Sequence, residues 1–402
     1  MDESSKPLTI DNSLQTDTFG NAFSRRAGIP FRASRRSYPL HGIPVCRERA
    51  FRTRVSGAAR ILLAGKLTAM EAPGGGEMQM SALAKALGEV GIEARHWRPW
   101  EERLADYDCL HLFGSEPEHL SVIASAHRQG VPVALSTIAW FDLASCWREP
   151  WPLARRLAAC GKFLIRATFP RLRSWRRGLY QAADLLLPNS QAEAEQLSRH
   201  FAVPAGRIRV VPNGADTRFA EASPNLFAKH VGCRDFVLCA GRIEPRKNQL
   251  GLLRAMADGD VPVVIVGDFV PGHEAYLAAC RRAAGPHVRF LGRLEHDDPL
   301  LASAYAACGC LVLPSWYETP GLVAIEAAMS GVPLVLPRGG SAREYFGVYA
   351  EYVAPNDLAG LRRAVDAART SGRSRELAEL ARRNYSWRSA ALATREAYET
   401  LL

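Results

Sequence analysis

Phe236-Val237-Leu238-Cys239-Ala240-Gly241-Arg242-Ile243-Glu244-Pro245-Arg246-Lys247 decides how the chain is read. Five apolar residues in a row, without the alternation of a half-exposed strand, indicate a strand buried on both faces, as in a parallel sheet. A glycine and a group of cations follow directly, so Arg242 and Lys247 fall at the C-terminal edge of that sheet. Open parallel sheets bind their ligands at this edge. Two fixed cations there suit a diphosphate, the guanidinium gripping in a fork and the ammonium acting as a point charge. Alone, the segment is equally the composition of a solvated basic loop.

Working outward, the same kind of apolar run recurs at 263–266, 288–291, 310–313 and 333–336, and upstream at 61–64, 109–113, 131–135, 185–187 and 208–211. Helical stretches separate the runs, which is the pattern of βαβ units. Ser190-x-x-Glu193 is a capping box that opens one such helix. The chain is therefore expected to be α/β, two doubly wound Rossmann-like domains facing each other across a cleft. Residues 58–225 form the first, 226–385 the second, and a helix over 386–402 crosses back to the first. Residues 1–57 carry Arg pairs among Ser, Thr, Gly and Pro without a sustained apolar period, and read as a basic, disordered arm.

Other segments converge on the same edge. After the run at 310–313 comes Pro314-Ser315-Trp316-Tyr317-Glu318-Thr319-Pro320-Gly321-Leu322-Val323-Ala324-Ile325-Glu326. Pro320-Gly321 is expected to begin a helix with Pro in its first turn. The N–H groups of Gly321, Leu322 and Val323 would then face an anion in the cleft. Glu318 and Glu326 are expected at two levels of one ligand. In the first half, Gly74-Gly75-Gly76-Glu77 opens a helix, and its glycines either let the backbone approach an anion or serve a tight turn. Asp106-Tyr107-Asp108 and Asp258-Gly259-Asp260 precede apolar runs, so both read as surface turns and not as metal-binding pairs.

The Gly74–Glu77 loop, Ala183-Asp184 to Ser190, Val211-Pro212-Asn213-Gly214-Ala215-Asp216, Gly241-Arg242 with Lys247, Glu318 to Glu326, and Gly339-Gly340 to Glu344 follow one another in the chain. In that order, from about Arg60 onward, the sequence resembles glycosyltransferase family 4, retaining nucleotide-sugar-dependent enzymes of the GT-B fold. The resemblance implies that Arg242 and Lys247 neutralise the donor diphosphate, Glu318 contacts the donor sugar and Glu326 accepts hydrogen bonds from the ribose. Gly75 and Gly76 would close on the phosphates from the opposite domain, with Gly241, Gly321, Leu322 and Val323 completing the donor site. It further implies a hexosyl group moved to a glycan or lipid-linked acceptor in polysaccharide or glycolipid synthesis, with no cofactor and no metal. One departure falls after Leu135-Ser136-Thr137, where many relatives carry a His that touches the sugar and this chain has Ile138. His111 and His119 lie near the cleft edge but read as structural histidines, and Tyr345-Phe346 reads as packing its loop.

Charge places the remaining expectations. The net +10 of the 402 residues is concentrated: residues 1–60 carry +6 and residues 146–180 carry +8, with nine cations against Glu149 alone. The rest of the chain is slightly acidic, which argues against nucleic acid as a partner. Residues 146–180 interleave Trp147, Trp151, Phe163, Phe169, Trp175 and Tyr180 with those cations, the composition of a segment lying on an anionic membrane. No apolar stretch reaches spanning length, and the N-terminus shows neither a basic leader nor an apolar core. A cytoplasmic protein, peripheral on the inner membrane face, is therefore expected. Nine scattered cysteines read as reduced, mostly buried thiols. A non-hydrolysing nucleotide-sugar epimerase and a catalytically inactive GT-B partner subunit are the alternatives to a transferase.

Overall fold

The structure is a computed structural model that describes residues 59–66, 74–148 and 152–402. The expected arm at 1–57, Pro73 and Trp151 lie outside the described residues. Two all-parallel sheets organise the rest. The first contains β1 (Arg60–Ala64), β2 (Glu93–His96), β3 (Cys109–Phe113), β4 (Val133–Ser136) and β5 (Leu185–Leu186), in the order β2-β1-β3-β4-β5. The second contains β6 (Val237–Ala240), β7 (Val263–Val266), β8 (Val288–Phe290), β9 (Cys310–Val312), β10 (Leu334–Pro337) and β11 (Ala350–Val353), in the order β11-β10-β9-β6-β7-β8.

Both orders are doubly wound, and each has one point where the winding reverses. In the first sheet it lies between β1 and β3, in the second between β6 and β9. A crevice opens beyond the strand ends there because successive connections leave toward opposite sides. The segments after β1, β6 and β9 are the three that the sequence singled out.

Each sheet is covered on both faces, which is why the central strands are continuous apolar runs. Apolar side chains fill two clusters around each sheet. Ala215 and Phe219 pack in a core of the second sheet, so the boundary expected at 225 moves back to about 215. Helix Trp387–Glu399 returns to the first sheet, where Ala390, Ala391, Ala397 and Tyr398 pack with Met80, Leu83 and Leu87 of helix Gly75–Glu89. His111 is fully buried beneath it. Its Nδ1 lies 2.6 Å from the Tyr398 hydroxyl and its Nε2 2.9 Å from Ser136 Oγ, and burial lowers its pKa to about 3. This histidine ties three elements together.

The two crossings between domains touch. Ala215 and Ser386 form a parallel bridge, and a Cβ on Gly214 would lie 2.5 Å from the Ser386 carbonyl carbon. Only glycine allows that approach. Of the expected strands, 208–211 forms only one bridge, Leu186 with Ile208. The Asp-x-Asp strings sit at the far edge from the crevice: Asp108 accepts from the Arg60 N–H at 2.8 Å where β1 begins, and Asp258 and Asp260 are exposed before β7. Cys109, Cys160, Cys233, Cys239, Cys280, Cys308 and Cys310 are free thiols, and burial pushes Cys109, Cys239 and Cys308 up to about 12.

Candidate active site

On the second domain's lip, Gly241 (φ +137°) and Gly267 (φ +141°) let the loops after β6 and β7 stack. A Cβ on Gly267 would come within 2.2 Å of the Gly241 carbonyl oxygen. The turn Pro245–Lys247 then sends the Lys247 ammonium to Glu318, donating to Oε1 at 2.7 Å. Ser315 Oγ donates to the same oxygen at 2.5 Å, and Arg246 Nη1 stands 4.0 Å from Oε2. Glu318 is 4% exposed. Burial pushes its carboxyl up, but the Lys247 and Arg246 cations outweigh burial and hold it below the usual carboxylate range.

The Glu318 backbone is clamped as well. Its carbonyl accepts from the Ser341 N–H at 2.9 Å, and Gly340 (φ +99°) passes so close that a Cβ there would lie 1.9 Å from that oxygen. The Gly339-Gly340 pair thus sets where Glu318 stands.

The following helix runs Leu322–Met329 with Gly321, at φ +90°, as its N-cap. Pro320 therefore lies outside the helix, and the expectation that it occupies the first turn is corrected. The first turn bonds Ala324 and Ile325 back to the Gly321 carbonyl, so the Leu322 and Val323 N–H groups have no intrahelical acceptor. Gly321, Leu322 and Val323 all line the cleft. Glu326, in the second turn, is 5% exposed. Tyr305 donates to Oε2 at 2.6 Å, and His296 Nε2 stands 3.3 Å from Oε1. Glu318 and Glu326 thus have separate protein partners.

From the first domain, Gly74 caps helix Gly75–Glu89, with its N–H donating to Glu77 Oε2 at 2.8 Å. Arg242 reaches across the cleft to this turn: a Cβ on Gly74 would meet Arg242 Nη1 at 3.2 Å. Open space surrounds Gly75, and a Cβ on Gly76 would touch Ile138 Cδ1 at 3.3 Å. The two sheets thus present Arg242 and the glycine turn to one another.

Ile138 has φ +44°, a conformation that a β-branched residue adopts only when its surroundings enforce it. The enforcing group is Glu193, fully buried. Its Oε1 accepts from Thr137 Oγ1 at 2.5 Å and the Ala139 N–H at 2.7 Å, and its Oε2 accepts from the Asn189 N–H at 2.9 Å. The expected capping box is half realised. Ser190 Oγ accepts from the Glu193 N–H at 3.1 Å, but the carboxylate serves the loop after β4 in place of the Ser190 N–H. Burial raises the Glu193 pKa, and these hydrogen bonds offset part of the rise.

A second contact spans the cleft. Glu344 accepts from the N–H groups of Gln191 (2.6 Å) and Ala192 (3.0 Å), which open helix Gln191–Phe201. Tyr345 donates to the Asn189 carbonyl at 2.5 Å and accepts from the Asn213 N–H at 3.0 Å. Tyr345 therefore joins the domains, and with Phe346 it also packs in the core of the second sheet.

Between the lips lies a cavity of about 660 Å³ that meets Gly75, Gly76, Gly241, Arg242, Lys247, Glu318, Gly321 and Glu326. A neighbouring cavity of about 550 Å³ shares Gly74, Gly75, Gly76, Ile138, Trp140, Arg242 and Tyr317, and adds Lys66, Glu116 and Arg176 from the first domain. Every site residue expected from the sequence lines the larger space or its rim. Arg246, Ser315, His296, Tyr305 and Glu193 were missed. Arg246 had a signal in its place in the cationic turn, and Ser315 lies only three residues from Glu318; His296, Tyr305 and Glu193 act through contacts farther apart in sequence.

Two doubly wound domains with fixed cations and a helix N-terminus on one lip and a glycine turn on the other define the class: a two-domain enzyme of the GT-B fold. The chain belongs to the family 4, group 1 glycosyltransferases. The "Glycosyltransferase Family 4" profile matches residues 82–219 and "Glycosyl transferases group 1" matches residues 228–384. Among relatives, D-inositol 3-phosphate glycosyltransferase of Arthrobacter sp. (strain FB24) is 27% identical over 386 residues, covering 82% of this chain and 92% of its own. Glycogen synthase of Mycobacterium tuberculosis is 30% identical over 241 residues, 56% of this chain and 55% of its own. Two solved structures share the fold. Sucrose-phosphate synthase from Thermosynechococcus elongatus has a TM-score of 0.68 at 19% identity, over 85% of this chain and 99% of that one. Anabaena HepE, in complex with UDP-glucose, has a TM-score of 0.62 at 19% identity, over 85% and 99% respectively.

Proposed function

We propose that this glycosyltransferase moves a hexosyl group from a nucleoside-diphosphate sugar to a glycan or lipid-linked acceptor, with retention and without a metal. The observation that carries the reading is the convergence on one cavity of Arg242, Lys247 and the open helix end at Gly321–Val323, facing Gly75 and Gly76 across the cleft. Departure of a nucleoside diphosphate develops negative charge, and preorganised cations and helix N-termini stabilise it without reorganisation. The Glu326 carboxylate is placed to receive the ribose hydroxyls, and the neighbouring cavity is the space for the acceptor. A fold neighbour holding UDP-glucose supports a nucleotide-sugar donor, and a relative named as a glycogen synthase supports a glycan acceptor.

Retention by a covalent glycosyl-enzyme would need a free carboxylate at the anomeric carbon. Glu318 Oε1 already accepts from Lys247 and Ser315, so the reading favours attack on the leaving-group face. The acceptor oxygen bonds to C1 as the bond to the diphosphate breaks, and the acceptor proton passes to a departing phosphate oxygen. An epimerase would need an acid and a base around the bound sugar; the pairing of Glu318 with Lys247 leaves it poorly suited to that work. An inactive subunit would have no need of a buried, charge-matched Glu318.

The test is incubation of the protein with UDP-, GDP- and ADP-hexoses and candidate acceptors, with EDTA, followed by NMR of the product. Transfer with the donor's anomeric configuration kept is the expected result. Conversion of donor to an epimer without acceptor, or a strict metal requirement, contradicts it.

A further inference from the structure

We propose that helix Leu153–Thr168 and the turn after it form a docking surface for an anionic phospholipid bilayer. The helix stands on the first domain through Phe163, whose ring lies 5.2 Å from that of His200, and Arg166, whose guanidinium lies 5.1 Å from the Phe201 ring. Not one of its residues is buried. At 100° per residue, Leu153, Leu157, Leu164 and Ile165 fall on the face turned away from these contacts, with only Ala, Gly and Thr between them. These four side chains are 50–54% exposed, and Phe169 and Leu172 beyond the helix are 62% and 55% exposed. Exposed Trp147 and Trp175 flank the stretch, the residue type that settles at a headgroup boundary.

Charge identifies the occupant. Between Pro152 and Ala183 there are eight Lys or Arg and no acid; Lys162 lies on the flank of the apolar face and Arg171 in the exposed turn beyond the helix, so their stems can lie along it while the cations meet phosphates. A second copy of this chain would bring cations against cations. A surface both apolar and anionic fits, and an anionic bilayer is one. No helix among the described residues is long and apolar enough to cross a membrane, so the contact lies in the interface. Of the aromatics singled out in the sequence, Trp147, Phe169 and Trp175 are exposed, whereas Tyr180 is buried and Phe163 faces inward, so aliphatic side chains supply the rest of the surface. Arg176, packed over Trp175 at 4.5 Å, also lines the smaller cavity. If the transfer reading holds, the surface brings a membrane-held acceptor to the reaction.

The test is co-sedimentation of the purified full chain with phosphatidylcholine vesicles, with and without phosphatidylglycerol. Binding to the anionic vesicles that weakens with salt is expected. Leu157→Gln/Leu164→Gln/Ile165→Gln should abolish it, and Lys162→Gln/Arg171→Gln should reduce it on the order of tenfold, with the melting temperature unchanged in both. Absence of binding at low salt, binding that survives the triple substitution, or a dimer that the triple substitution dissolves without any vesicle binding overturns the proposal. The readout uses neither donor nor turnover, so its failure leaves the transfer reading standing, and the reverse also holds.

Discussion

Glu318 and Lys247 form a buried pair, so removing either partner tests stability and catalysis together. Lys247→Met leaves the carboxylate with the Ser315 hydroxyl and, as its nearest cation, Arg246 at 4.0 Å. A loss of about 3 kcal/mol, the lower end for breaking a buried pair by one partner, is expected from the urea midpoint at neutral pH. The sign with pH follows from the depressed Glu318 pKa. Its contribution is present above the ordinary carboxylate range and is lost as pH falls through the folded pKa, so the gap between Lys247→Met and the parent protein should close in acid. Glu318→Gln keeps an acceptor for Ser315 and Lys247 but loses the paired charge, so it should be destabilised less than Lys247→Met and turn over on the order of a hundredfold slower. Glu326→Gln loses charge-assisted bonds worth about 1.5–3 kcal/mol, so donor binding should weaken at least about tenfold with kcat little changed. Steady-state kinetics separate the two carboxylates, and a kcat loss confined to Glu326→Gln would exchange their roles.

At the scale of elements, the connection between Gly340 and Glu318 carries the site. Gly340→Ala sets a side chain at φ +99° against the Glu318 carbonyl, whereas Gly372→Ala, at φ +69°, meets nothing within 4 Å. The second should cost about 1 kcal/mol and keep activity. The first should cost on the order of 3 kcal/mol and lose transfer; equal melting temperatures for the two would contradict the clamp. What the sequence disclosed at this scale follows burial. Central strands are apolar on both faces and legible as runs, while the edge strands β2 and β11, Glu93-Ala94-Arg95-His96 and Ala350-Glu351-Tyr352-Val353, are half exposed and went unread. Glu193 was legible as a helix cap because that contact is local, but its hold on Thr137 and Ala139 spans more than fifty residues and leaves no local trace. For the same reason the glycines and cations that line the cleft could be named from sequence, and the Tyr305 and His296 contacts to Glu326 could not.

For the whole molecule, the C-terminal helix and the Tyr345 contact tie the halves around the cleft, and His111 reports on the first of these ties. Its pKa of about 3 means that it is neutral in the fold while the unfolded chain protonates near pH 6.5. This contribution is complete above about pH 6.5 and is lost as pH falls toward 3. His111→Gln should flatten that part of the stability curve measured by urea unfolding; an unchanged slope would place the titration elsewhere. The central claim is that the cleft between the two sheets holds a nucleoside diphosphate by protein groups alone. Isothermal titration of UDP, GDP and ADP, with EDTA present, into the parent protein and Glu326→Gln tests it most directly. One nucleotide should bind the parent without metal and bind Glu326→Gln at least about tenfold more weakly. Binding to neither protein, or equal binding to both, would contradict the account.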